Sequence, residues 1–209
     1  MSTDTSERAL AELLSAPTVD VARGLVGATL LRTLPPGEPG AGQILSGRIV
    51  ETEAYLPLVD PACHGYRGPT RRTAVLFGRP GFAYIYLIYG MHFCLNVKTE
   101  PAGVGAAVLL RAVEPIEGIE EMRRRRAPGL PDAAIASGPG NLCRALSIDL
   151  RENGADLRSG GIRIQPASGK LEIRSSGRIG INVAARWPLR FYDPNSPSVS
   201  PFKRGVAAC

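Results

Sequence analysis

The sequence predicts an α+β fold: a single compact domain built on a curved, mainly antiparallel β-sheet with flanking helices and a protruding β-hairpin. Three observations predict it. The 209 residues include 24 Gly and 18 Pro, about a fifth of the chain, and long helices do not tolerate that punctuation. Runs rich in branched and aromatic residues crowd the middle of the chain, between Ile44 and Val113. Helix start and stop signals lie to either side of that region.

Taken in order, residues 1–16 read as a polar arm leading into a short amphipathic helix around Leu10, Leu13 and Leu14, ended by Pro17. Thr18 is placed to cap a second helix reaching about Val26, with Gly27 as its stop. Ala28–Arg32 reads as a strand, and the Gly- and Pro-rich stretch 34–43 as a surface loop. Ile44–Tyr55, Phe82–Tyr89, Phe93–Lys98 and Val104–Val113 read as strands. Only Gly90-Met91-His92 separates the second from the third, so these two form a hairpin with an exposed tip. Pro115 is expected to open a helix over Glu114–Met122 that runs into Arg123-Arg124-Arg125-Arg126, a cationic last turn suited to the helix dipole. Ser137-Gly-Pro-Gly140 is a glycine turn feeding a further helix. Short strands are expected near Gly161–Gln165, Leu171–Arg174 and Arg178–Asn182. The organisation is thus an arm at 1–16, one domain over 17–203 and a tail at 204–209.

Charge narrows the class of partner. Lys and Arg number 25 against 19 Asp and Glu, a net charge of +6, and all but Lys98, Lys170 and Lys203 are Arg. Arginine offers a planar fork for phosphate, so the balance suits a polyanion, although codon bias would produce it as well. No apolar run approaches the roughly 18 residues of a membrane span, and the polar start has no signal-peptide core. Cys63, Cys94, Cys143 and Cys209 lie far apart and read as reduced thiols of a cytoplasmic protein. With only His64 and His92 beside them, no zinc set is recognisable and no metal is expected.

Three constellations can carry chemistry. In Ile49-Val-Glu-Thr-Glu-Ala-Tyr55, strand alternation puts Ile49, Glu51, Glu53 and Tyr55 on one face and Val50, Thr52 and Ala54 on the other, which is expected to meet the core. A carboxylate there can act as a general base, two can share a divalent metal, or both can be the solvated face of an edge strand. In Tyr84-Ile-Tyr-Leu-Ile-Tyr89, Tyr89 sits at the turn, where an aromatic suits insertion between base pairs. Tyr86 is placed to stack a flat ring, and Tyr84 reads as sheet packing. Asn96 and Arg111 interrupt apolar strands and need buried partners; for Arg111, a carboxylate such as Glu53 or a phosphate would serve.

Together these features resemble the alkyladenine (3-methyladenine) DNA glycosylase family. The resemblance runs from about Val19 to Phe202 through Gly47-Arg-Ile-Val-Glu-Thr-Glu-Ala-Tyr55, Tyr84-Ile-Tyr-Leu-Ile-Tyr-Gly-Met91 and Leu109-Leu-Arg-Ala-Val-Glu-Pro115. Ser137-Gly-Pro-Gly140, Arg178-Ile-Gly-Ile181 and Trp187-Pro-x-Arg-Phe-Tyr192 follow in the family's order. It implies a metal-free, cofactor-free monofunctional glycosylase that flips damaged purines out of double-stranded DNA and hydrolyses the glycosidic bond. It also implies a monomer in the cytoplasm, nucleoid-associated if the source is bacterial. By the resemblance, Glu53 is the general base and Arg111 positions the water. Tyr55, His64 and Tyr86 hold the flipped base, Asn96 disfavours the 2-amino group of guanine, and Tyr89 fills the gap in the duplex. Met91, His92, Arg72 and Asn141 are expected near DNA. The chain departs from the family at Thr70-Arg-Arg-Thr73, where Thr-Pro-Arg-Asn is common, and at Asn141, where lysine often stands. Two other readings stay open: a non-catalytic nucleic-acid-binding domain, and a metal-dependent nuclease using Glu51, Glu53 and Asp60.

Overall fold

The computed structural model describes residues 2–201, with side chains from residue 8. Two helices, α1 (Ser2–Leu14) and α2 (Thr18–Gly24), precede β1 (Thr29–Thr33) and the long β2 (Ile44–Tyr55). A 3₁₀ turn at Ala74–Phe77 leads to β3 (Ala83–Ile88), β4 (His92–Lys98) and β5 (Ala107–Glu117). Three short helices follow: α3 (Ile119–Arg126), α4 (Asp132–Ile135) and α5 (Pro139–Ala145). β6 (Ile162–Gln165), β7 (Arg174–Ser176) and β8 (Arg190–Tyr192) complete the set. All named pairings are antiparallel, in the order β3-β4-β5-β2-β1-β6. β2 is the axis: β5 lines one side of it, while β1 and then β8 share the other. The result is a curled antiparallel sheet with helices packed on it, the α+β arrangement expected.

One sheet face forms the core. Ile49, Ala54, Ile85, Leu95, Val97, Val108 and Leu110 are buried there against Leu10 and Leu14 of α1, Val21 and Ala22 of α2 and Leu142 and Cys143 of α5. The side chains that alternate with them along β3, β4 and β5 face the other way and line a cavity.

Strict alternation fails on β2. Ile49 pairs with Val113 but Glu51 pairs with Ala112, so Val50 is an extra residue; Glu51 and Thr52 then face Ala112 and Leu110, which makes Arg111 the extra residue opposite. Such bulges re-aim side chains. Ile49 accordingly enters the core, and Glu51 and Glu53, expected on a cleft or in solvent, are fully buried.

Other expectations need correction. Pro115 does not open a helix: β5 continues to Glu117, with Pro115 opposite Gly47 at a register slip where its missing N–H does no harm, and α3 starts only after Gly118. Thr18 is not a cap. Pro17 holds that position, and the Thr18 hydroxyl donates to Glu100 Oε1 at 2.7 Å. His92 belongs to β4, so the hairpin tip is Tyr89-Gly90-Met91. β7 lies later than the strand expected at 171–174. The segment 178–182 forms no strand because Arg178 and Ile179 bond to Asp60 and Glu53 instead, while β8 forms unforeseen at Arg190–Tyr192. The tail expected at 204–209 lies outside the described residues, as does Cys209. Among the described residues no helix is long and apolar enough to cross a membrane.

Gly118 adopts φ of +73°, and a Cβ there would stand 2.4 Å from Leu45 Cδ2 and 2.9 Å from the Ile44 carbonyl. Gly118→Ala should therefore destabilise the fold by about 1–3 kcal/mol, read as a lower urea midpoint with unchanged slope.

Candidate active site

A cavity of about 640 Å³ opens on the sheet face opposite the core. Tyr84, Tyr86, Cys94, Asn96, Leu109 and Arg111 form its sheet wall. His64, Arg72, the start of α5 at Gly138–Asn141 and the segment Ile179–Ile181 close its sides.

Behind the floor sits an ion cluster. Arg111 Nε donates to Glu51 Oε1 at 2.9 Å, and its Nη1 lies 3.3 Å from Glu53 Oε2. Both carboxylates are fully buried. Glu51 is held further by Arg190 Nε at 2.6 Å and by the Ser200 N–H at 2.8 Å. Two guanidinium groups outweigh the burial that would otherwise keep Glu51 protonated, and its pKa lies below the ordinary range. Glu53 differs. Burial dominates, and its pKa is raised in spite of Arg111, the Ile179 N–H at 2.6 Å on Oε1 and the Tyr55 hydroxyl at 3.0 Å on Oε2. Glu53 does not itself line the cavity; Tyr55, Arg111 and Ile179 stand between. Two acids of one strand, two residues apart, thus hold pKa values shifted in opposite directions.

The aromatic residues form a wall. His64 and Tyr86 touch, with ring centroids 4.5 Å apart, and His64 Nδ1 is 3.0 Å from the Tyr84 hydroxyl. Burial, with Arg72 nearby, lowers the His64 pKa and favours the neutral imidazole. Tyr55 lines the cavity from β2, backed by the Arg178 guanidinium 4.6 Å from its ring centre. Arg178 is fixed in turn by Asp60, at 2.5 and 2.9 Å in a two-pronged pair, and by the Ala54 carbonyl. The Asn96 amide nitrogen donates to the carbonyls of Tyr84 and Cys94 at 3.0 and 3.3 Å, which uses both its hydrogens and leaves only its oxygen free.

The hairpin projects beside this cavity. Tyr89, at φ of +53°, and Gly90, at +69°, form the turn, and Tyr89 is 80% exposed. A tyrosine rarely adopts that backbone, and a solvated aromatic gains nothing from burial there. Met91 is exposed beside it. His92 lines the cavity mouth against Gly140, and Arg72 stands 5.9 Å from the centre of the Tyr86 ring. Asn141, on the first turn of α5, donates to the Ser137 carbonyl at 2.6 Å. The structure thus brings all the expected site residues to the cavity, its floor or the tip beside it.

The sequence reading missed several contributors. Glu51 was expected on the same exposed face as Glu53; nothing in a single strand announces the bulges that bury it. Tyr84, assigned to packing, also orients His64. Ile179 acts through its backbone, which no side-chain pattern reports. Glu51, Glu53 and Asp60 do not form a metal site, since each is neutralised by arginine. Among the described residues no three potential ligands converge. Arg123, Arg124 and Arg125 pair with Glu120, Asp132, Glu121 and Glu38, and Arg126 donates to the Ile135 carbonyl, so the run is spent on its neighbours.

Comparison with known proteins gives the family. A family model described as methylpurine-DNA glycosylase matches residues 12–197. A protein of Methanocella arvoryzae is 50% identical over 188 residues, covering 88% of this chain and 91% of its own length. One of Nitrosospira multiformis is 46% identical over 192 residues, covering 91% and 93%. Both carry the name "Putative 3-methyladenine DNA glycosylase". These matches define a DNA glycosylase, a hydrolase of DNA repair. The chain belongs to the methylpurine-DNA glycosylase family.

Removing Glu51 would leave Arg111 and Arg190 facing each other in the interior. Glu51→Ala should destabilise the protein by about 3–5 kcal/mol. Its pKa is lowered on folding, so the stability it contributes is full above the ordinary carboxylate range and is lost as pH falls from that range through the lowered folded-state value. The gap between wild type and variant, measured by urea unfolding, should narrow as the pH is taken down through that interval.

Proposed function

We propose that the protein flips alkylated or deaminated purines out of double-stranded DNA and hydrolyses their glycosidic bond, leaving an abasic site. The observation that carries this reading is a cavity with an aromatic wall, a buried carboxylate of raised pKa behind its floor and an exposed tyrosine on the adjoining hairpin tip. A base in a duplex is out of reach until it is extruded, and damaged or mismatched bases are the easiest to extrude. Tyr89 inserts into the stack and holds it open, at an entropic saving because its turn is already set. The purine then enters beside Tyr55, with His64 and Tyr86 as the opposing wall. The fixed Asn96 stands where the 2-amino group of guanine would project.

Glu53 is the general base. In the arrangement described, both its oxygens are engaged, so a water must take the place of one donor when DNA binds. The Tyr55 hydroxyl is one of these donors, and Tyr55 lines the cavity. Arg111 orients that water and keeps Glu53 ionised, and the carboxylate's charge stabilises the oxocarbenium-like sugar as the bond breaks. Among the described residues no lysine lines the cavity to form a Schiff base, which favours plain hydrolysis over strand cleavage.

The test is base release from duplexes carrying one hypoxanthine or one ethenoadenine, with chelator present. Wild type should generate sites that break only on alkali treatment, and Glu53→Gln should lose at least about 100-fold in rate while keeping its fold. Breakage without alkali would point to a lyase or a nuclease, and silence on these substrates and on alkylated DNA would leave a binding domain. Glu53 must be ionised to accept a proton, so single-turnover rates should climb as pH rises through its raised pKa, placing the acid limb above the ordinary glutamate range. Tyr89→Ser should melt like wild type yet lose excision of paired lesions; unchanged excision would remove Tyr89 from the mechanism.

A further inference from the structure

Lys98 is fully buried, yet among the described residues no carboxylate bonds its ammonium group. Its Nζ instead donates into a ring of main-chain carbonyls: Glu100 at 2.9 Å, Val104 at 2.8 Å, Pro101 at 3.4 Å and Thr99, its nearest partner. All four belong to the loop that joins β4 to β5. An ammonium has three hydrogens on a compact centre, which suits gathering several carbonyl dipoles where a planar guanidinium does not. Burial pulls its pKa down to about 8, which still leaves it protonated at neutral pH. So many carbonyls turned towards one point would repel one another without a cation among them.

The loop so gathered backs the base pocket. Gly105 lies against Gly65, so close that a Cβ on Gly65 would stand 2.3 Å from the Gly105 carbonyl oxygen. That same oxygen accepts from Cys63 Sγ at 3.4 Å, and the Gly103 N–H donates to the Phe77 carbonyl at 2.9 Å. Cys63 and Gly65 are the two neighbours of His64. The carbonyl of one loop thus fixes the residues on either side of the pocket histidine.

We propose that Lys98 is a positioning residue for base excision: its ammonium is the internal cation that folds residues 99–105 into the backing on which His64 is held against Tyr86. It touches neither the base nor the sugar. This proposal rests on the reading of the cavity as a base pocket, and one of its tests is independent of that reading.

Lys98→Ala removes the ammonium and leaves room for a small amine. The variant should lose at least ten-fold in kcat on the ethenoadenine duplex, with KM for DNA little changed because the hairpin is untouched. Millimolar n-propylammonium should restore a substantial part of that loss, and n-propanol at the same concentration should not. The imidazole signals of His64, followed by NMR without DNA, should move in the variant and return towards wild type with the amine. Wild-type kcat in Lys98→Ala, or a loss that amine and alcohol relieve alike, would overturn the proposal. So would unmoved His64 signals. An inactive wild type would instead count against the base-pocket reading, while the His64 signals still decide the role of Lys98. If the alanine variant does not fold, Lys98→Gln carries the test. That side chain keeps two donors without the charge, and unaltered kcat and His64 signals in it would equally reject the idea.

Discussion

The structure turns on one buried cation held between two acids of the same strand. Residues two apart on a strand share a face, and Arg111, displaced by its own bulge, reaches both Glu51 and Glu53 across the ladder. Neither acid could be buried without a partner, and the guanidinium could not lie among apolar strands without them. Arg190 adds a second positive charge, so two carboxylates face two guanidinium groups and the interior is balanced overall. The balance is uneven in space. Both arginines bond Glu51, and one only approaches Glu53, so charge overcomes burial at the first acid, whose pKa is lowered, while burial prevails at the second, whose pKa is raised.

Much of this was legible in the chain. The strand Ile44–Tyr55 was placed to the residue, because its branched residues and flanking loop signals agree, and the sheet class followed from the crowding of such runs. Arg111 was marked by being a charge in an apolar run, and a carboxylate such as Glu53 was the partner foreseen. What could not be read depended on distance along the chain. Glu51 and Glu53 look identical on paper; only β8 and Ser200, arriving from about 140 residues away, give Glu51 the two donors that Glu53 lacks. Pro115 shows the converse. Its local meaning is a helix start, and pairing with Gly47 overrode it.

Charge tells a similar story. The four-arginine run is the most conspicuous basic feature of the sequence, yet carboxylates and carbonyls of its own neighbourhood absorb it. Among the described residues, Arg67, Arg71 and Arg72 form no ion pair, and they lie in the segment that leads from His64 to the 3₁₀ turn. Of these Arg72 lines the cavity, so some of the positive charge free to meet a polyanion stands beside it while the helix run is neutralised.

Ser200 lends its amide to Glu51 across 149 positions of sequence, whereas β1 to β5, and with them every acid and base of the cluster except Arg190, are complete by Glu117. During synthesis the sheet can therefore close long before the cluster is balanced. Until the final segment docks, Arg111 has two carboxylates to itself and Glu51 has an oxygen without a donor. A chain halted ahead of Ser200 would present DNA with a shaped pocket but an unsettled acid pair. The order of emergence from the ribosome thus makes the settling of this cluster a late event, withheld until almost the whole described chain has been made.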